Sequence, residues 1–196
     1  MPLALKSSGG GSVTIDVPST ASNFTQTLLA ASGTLAPIVQ GTAQNSTSGT
    51  AIDFTSLPSW VKRVTMMFNG VSGSGTSTLL AQLGTSSGIT NTGYFSVYEG
   101  INVAGTNSSN ASTAVGFGLV LMSAATDLVY GQVTFTNMTG NIWVASSITA
   151  RDSSSDAIYY AGGNVTLAGT LDRVRLTWLN GTDTFDAGSV NIMYEG

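Results

Sequence analysis

Apolar and polar residues alternate with a period of two along most of this chain, and glycine, serine and asparagine clusters break the alternation about every ten residues. That pattern leaves room for strands and almost none for a helix of three turns. The alternating windows are Ser12 to Val17, Phe24 to Leu28, Val61 to Phe68, Thr78 to Leu83, Tyr94 to Glu99, Leu128 to Thr136, Asn141 to Thr149, Asp172 to Leu179 and Ser189 to Tyr194. Between them, Gly70 to Ser77, Thr85 to Gly93, Gly105 to Ser112 and Arg151 to Asp156 have turn chemistry. Gly and Asn tolerate positive φ, and Ser and Asp side chains bond nearby backbone.

The apolar run Val115 to Ala125 fits a buried strand or a buried helix, and Gly116, Gly118 and the strand-rich surroundings favour a strand buried on both faces. In Asp172 to Leu179 one face carries Val174, Leu176 and Trp178. The other carries Arg173, Arg175 and Thr177, and is expected to face solvent or a neighbouring subunit. Asn180-Gly181 reads as a two-residue hairpin leading to a closing strand. About ten short strands at this spacing predict an all-β fold, an antiparallel β-sandwich of jelly-roll-like form. Residues 1–50 have scattered apolar positions and Ala/Ser/Thr/Gly-rich stretches, so they are read as an extended N-terminal arm ahead of a sandwich domain at 51–196.

Composition then limits function. The chain has no histidine and no cysteine, and only 8% of its 196 residues are charged, which leaves little for general acid–base or thiol chemistry. The expectation is a protein that is not an enzyme, with no cofactor and no metal. A net charge of −4, with no basic cluster longer than Lys62-Arg63, argues against nucleic acid. No apolar run approaches the roughly 20 residues of a membrane helix, and MPLALK is too short for a secretory apolar region. Neither a membrane partner nor secretion is expected, and synthesis in the cytoplasm is.

Two carboxylate pairs, Asp183 with Asp186 and Asp152 with Asp156, have spacings compatible with Ca²⁺ or with glycoside hydrolysis, but their Ser, Gly and Thr neighbours favour turn stabilisation. The Asn-x-Ser/Thr triplets follow from composition. Trp60, Trp143 and Trp178 sit in or beside alternating segments and are expected in core or interface packing. Tyr94-Phe95 and Tyr159-Tyr160 differ, because neighbours on a strand face opposite ways and one of each pair should be exposed. Tyr94, Tyr159 and Tyr160 are therefore candidate aromatic contacts for a subunit interface or a sugar.

The opening LALKSSGGGSVTIDVPSTASNFTQTLLAASGTLAP (Leu3 to Pro37), the segment PSWVKRVTMMFNGVS (Pro58 to Ser72) and the end GTLDRVRLTWLNGTDTFDAGSVNIMYEG (Gly169 to Gly196) resemble small structural proteins and tail-fibre segments of tailed bacteriophages. Leu28-Leu29-Ala30 stands where that pattern has Leu-Pro-Ala. The resemblance implies a virion protein, similar either to trimeric capsid cement (decoration) proteins or to distal domains of tail fibres and tailspikes. A single sandwich with a short arm has no room for a fibre shaft, so the expected role is cement on the capsid surface. The expected partners are the major capsid protein and two further copies in a homotrimer. The alternative is a receptor-binding tip that recognises a host-surface glycan. Attachment is expected from the arm, Leu3 to Phe24. There Leu3, Leu5 and Lys6 precede a Gly9-Gly10-Gly11 lead, and Val13, Ile15 and Val17 share a face of a strand with an open edge. Phe24, Arg173 and Arg175 complete the contact candidates.

Overall fold

The computed structural model describes residues 3–6, 8–10, 12–15 and 36–196. The chain divides into two compact units, Met1–Leu35 and Ala36–Gly196. In the first, β1 (Leu3–Lys6) and β2 (Ser12–Ile15) form an antiparallel pair that matches Leu3 with Ile15 and Leu5 with Val13. The expected strand Phe24 to Leu28 lies outside the described residues.

The second unit is all-β and antiparallel throughout, with no helix among the described residues. Its larger sheet has nine strands. In spatial order these begin with β10 (Asn107–Thr113), β9 (Phe95–Asn102), β14 (Ala157–Thr166), β13 (Ile142–Asp152) and β12 (Leu128–Thr139). They continue with β6 (Arg63–Gly73), β16 (Phe185–Glu195) and β3 (Ile38–Gln40), and β4 (Gln44–Asn45) also pairs with β16. The smaller sheet runs β11 (Phe117–Leu121), β7 (Thr78–Thr85), β15 (Arg173–Trp178), β5 (Ala51–Phe54), with β8 (Gly88–Ile89) on β7. Residues 36–50, grouped with the arm by composition, thus supply two short strands that border β16.

In β6, β12 and β15 the face that the alternation makes apolar is the buried one, whereas β9 and β13 turn Phe95, Val97, Ile101, Val144 and Ile148 outward and bury Ser96, Ser147, Thr149 and Arg151. Val64, Met66 and Phe68 of β6, Val129, Val133 and Phe135 of β12, and Val174, Leu176 and Trp178 of β15 are all buried in one core. Aromatic contacts join the two sheets. The ring of Phe117 lies 5.6 Å from that of Phe135, and Trp178 lies 5.0 Å from Phe185. Each such buried side chain contributes about 1.5–3 kcal/mol relative to exposure. Phe117 to Val120 are buried without alternation, as expected for a strand covered on both faces.

Three local expectations are corrected. Asn180-Gly181 does form a turn: Asn180 Oδ1 accepts from the Thr182 and Asp183 amides, Gly181 N–H donates to Trp178 O at 3.0 Å, and Gly181 has a φ of 68°. It is not a hairpin, because β15 belongs to the smaller sheet and β16 to the larger. The turn starts a crossing that lets Trp178 and Phe185 meet in the core. Within Gly105 to Ser112, read as a loop, Asn107 begins β10, an edge strand held by its backbone pairing to β9, which asks nothing of the side chains. Ala157 to Thr166 falls in none of the alternating windows, yet β14 lies inside the larger sheet between β13 and β9.

Candidate functional site

The outer face of the larger sheet departs from the polar surface that a sandwich usually shows to water. The register aligns Ile101 of β9 with Ile158 of β14, Ile158 with Ala150 of β13, and Ala150 with Tyr130 of β12. One row further along, Tyr160 stands opposite Ile148. Ile101 and Ile158 are each 39% exposed, Tyr130 37%, Tyr160 45% and Ile148 58%. The result is a contiguous apolar band on the solvent side, the kind of patch that soluble monomers seldom leave open. In the next row Ser146, Thr134 and Thr65 are in register, with Thr65 and Thr134 sharing a hydrogen bond at 3.4 Å, while Phe95, Val97 and Val144 leave further exposed hydrophobic surface on the same face.

At the band's end, Val103, Asp152 and Asp156 join Ile101, Ile158 and Tyr130 around an open groove of about 440 Å³. The Val103 amide donates to Asp156 O at 2.9 Å, tying two of its walls together. Ser153 N–H donates to Asp156 Oδ1 at 3.0 Å and closes the turn after β13. Asp152 projects outward with no hydrogen bond or ion pair to any described residue.

Arg151 is one residue earlier on β13, so it faces the opposite way and is 5% exposed. Its Nη1 donates to Leu121 O at 2.6 Å and to the Tyr159 hydroxyl at 2.9 Å, and Nη2 donates to Ser155 O at 3.3 Å. The Arg151 Nε stands 3.7 Å from Asp127 Oδ2, and the guanidinium lies 5.4 Å from the centre of the Tyr159 ring. Asp127 Oδ2 also accepts from the Ser123 and Ala124 amides and the Ser123 hydroxyl. One buried cation thereby fixes three segments, the end of β11, the loop before β12 and the turn after β13. The groove is therefore built on a rigid floor.

The other carboxylates are committed locally. Asp183 accepts from Ser77 N–H at 3.2 Å, and Asp186 accepts from the Ser72 hydroxyl, so these two acids serve separate backbone junctions. Among the described residues no cluster of three or more metal-ligating side chains occurs.

The residues singled out in the sequence divide among several places. Leu3, Leu5, Val13 and Ile15 lie on the β1–β2 pair and Lys6 is exposed there, whereas Val17 and Phe24 lie outside the described residues. Arg175 makes a bidentate pair with Asp53 at 2.7 Å per bond, which raises the guanidinium pKa, and Arg173 pairs with Asp172 at 2.7 Å. Both arginines are thus engaged within their own chain. Each aromatic pair does split between inside and outside, but Tyr94 and Tyr159 are the buried members, and Phe95 and Tyr160 the exposed ones. Tyr94 is held because its hydroxyl accepts from Leu83 N–H at 2.8 Å and donates to Leu83 O at 3.2 Å, and burial pushes its pKa up. Tyr159 lies across Gly100 of β9, where a Cβ would come within 2.5 Å of its ring. Trp143 and Trp178 are in the core, while Trp60 is half-exposed and packs on Tyr194 at 5.8 Å.

Sequence reasoning missed the band and the groove. Their one local signal is the apolar run Ala157-Ile158-Tyr159-Tyr160, in which both strand faces carry hydrophobic residues instead of alternating with polar ones. No family model, no curated protein and no solved structure matches this chain.

Proposed function

We propose that this chain is a non-enzymatic structural protein of a tailed-phage particle, a cement protein that sits on the capsid as a homotrimer and bridges capsomers. The observation that carries the reading is the pairing of a rigid two-sheet body with a broad apolar outer face, the architecture of a module that works by contact. The resemblance of its two ends and of Pro58 to Ser72 to phage virion proteins supports it. Low charge supports it too, since a lattice held by apolar contact and neutral hydrogen bonds keeps its strength when salt changes. Asp183, Asp186 and Asp156 bond to turns and strand junctions, which fits structural work.

The test is a copy count on purified particles. Cement is expected in hundreds of copies on the head, with light scattering of the isolated protein giving three chains; a few copies on the tail would overturn the assignment. Deleting residues 2–17 addresses the arm separately. A folded protein that no longer decorates stripped heads is expected, and undiminished rebinding would take attachment away from the arm.

A second reading, a receptor-binding tip for host-surface glycans, is favoured by the outward rings of Tyr160 and Tyr130, which offer flat faces to a sugar. Binding to whole host cells that competes with surface polysaccharide would select it.

A further inference from the structure

We infer that the groove bounded by Ile101, Ile158, Tyr130, Val103, Asp152 and Asp156 docks a short protein segment in which hydrophobic side chains adjoin a lysine or arginine. Charge is the first constraint on the occupant. Strands β9, β12, β13 and β14, which form this part of the sheet, hold a single cation, Arg151. That guanidinium is buried and faced by Asp127. The rim of the groove carries two acids, Asp152 and Asp156. Asp152 has no partner among the described residues, and Asp156 uses Oδ1 for its turn while Oδ2 points to no described donor. Arg63, Arg173 and Arg175 are ion-paired to Glu195, Asp172 and Asp53, and Arg151, although it also lines the groove, is 5% exposed and hydrogen-bonded inward, so the outer face of these strands presents no exposed cation to the acidic rim. Its complement is a cation brought by another molecule.

Shape narrows the occupant. Crossing four strands spaced about 4.8 Å apart, the apolar band is roughly 15 Å wide, the length of about five extended residues. Hydrocarbon from Ile101, Ile158 and Ala150 forms the floor, which suits aliphatic or aromatic side chains and offers few partners to the hydroxyls of a sugar. The stem of a lysine or arginine can lie along that floor with its charge at the rim. The inference rests on the cement reading only for the source of the segment, which would then be the capsid protein.

Fluorescence anisotropy with labelled synthetic pentapeptides tests it on the full chain. A peptide alternating Leu and Lys is expected to bind saturably, and to weaken as salt rises. Leu/Glu and Ser/Lys counterparts are expected to bind at least about tenfold more weakly. Asp152→Asn should weaken the Leu/Lys peptide about threefold to tenfold without changing the thermal transition, because that carboxylate has no internal role. Ile158→Ser should do the same through the floor. No saturable binding, equal binding of the Leu/Glu peptide, or indifference to both substitutions would overturn the inference. So would tighter binding of methyl glycosides, or conversion of an oligomer to monomer by Ile158→Ser, which would place a second copy on this face. Assayed on stripped heads, Asp152→Asn and Ile158→Ser that decorate normally would sink the groove and leave the cement reading standing. Peptide binding by a protein that never binds heads would do the reverse.

Discussion

Tyr159 and Tyr160 are consecutive residues on β14, yet one is sealed under Gly100 with its hydroxyl against Arg151, and the other stands half in water beside Ile148. The same contrast runs across the sheet. Its inner face joins apolar packing to a hydrogen-bonded cation, so each group there depends on its neighbours. Its outer face is just as apolar around the groove but carries no second layer among the described residues of this unit. Hydrophobicity alone therefore does not assign a job to a residue on this sheet. What matters is whether another layer covers it.

The largest effect that would break this contrast is expected at Asp127. Asp127→Ala leaves the Arg151 guanidinium buried opposite no carboxylate and strips three donors of their acceptor, so a loss of about 3–5 kcal/mol is expected in urea unfolding. A loss below about 1 kcal/mol would show that the buried network does not hold the inner face together.

Gly100→Ala comes next, at about 1–3 kcal/mol, because the added methyl meets the Tyr159 ring and forces it off its position. A repeat in a Tyr159→Leu background tests the cause, since the penalty should shrink once the ring is gone.

Tyr94→Phe should cost a similar 1–3 kcal/mol at neutral pH, roughly the penalty of leaving the Leu83 amide unpaired. It also carries a pH signature. The folded-state pKa of Tyr94 is raised above the ordinary value near 10, so its contribution to stability is complete below pH 10. Above that, the unfolded chain releases the proton first and stability falls. The slope approaches about 1.4 kcal/mol per pH unit until the folded protein titrates too. Urea midpoints between about pH 8 and 11 should fall less steeply in Tyr94→Phe than in the parent; parallel curves would assign the alkaline loss elsewhere.

The smallest effect belongs to the outer face. Ile148→Ser is expected to change stability by less than about 0.5 kcal/mol, even though an equally large hydrophobe on the inner face would cost several. A large loss on thermal denaturation would mean that this face is covered in the isolated protein.

The strands were legible in the sequence because alternation is a local property, and the buried faces of β6, β12 and β15 follow from it directly, whereas β13 buries Ser147, Thr149 and Arg151 and turns Val144 and Ile148 outward. Pairing is not local. Asn180-Gly181 has a hairpin's turn chemistry, but only the core contact between Trp178 and Phe185 decides that the chain leaves one sheet for the other. β14 escaped notice for a related reason. Its Gly162 and Gly163 look like a loop, yet Gly163 lies against the backbone of Phe95, where a side chain has no space. The groove was still harder to see. It needs Ile101, Tyr130 and Ile158 brought together by register, and Arg151 and Asp127, distant in sequence, to anchor the segments around it. Tyr94 and Tyr159 show the remaining gap: strand parity says that one of two neighbours is buried, but not which.

The pairing of β3 with β16 sets Ile38 opposite Glu195, so the first described strand of the main unit rests on the last. Antiparallel partners so far apart in sequence can meet only after nearly the whole unit has been made, and closing so long a loop carries a large entropic cost before any contact repays it. On the ribosome, β6 must wait with one edge unpaired until β16 emerges. A slow folding phase, in the millisecond-to-second range, and sensitivity to crowded synthesis are consequences of that single pairing.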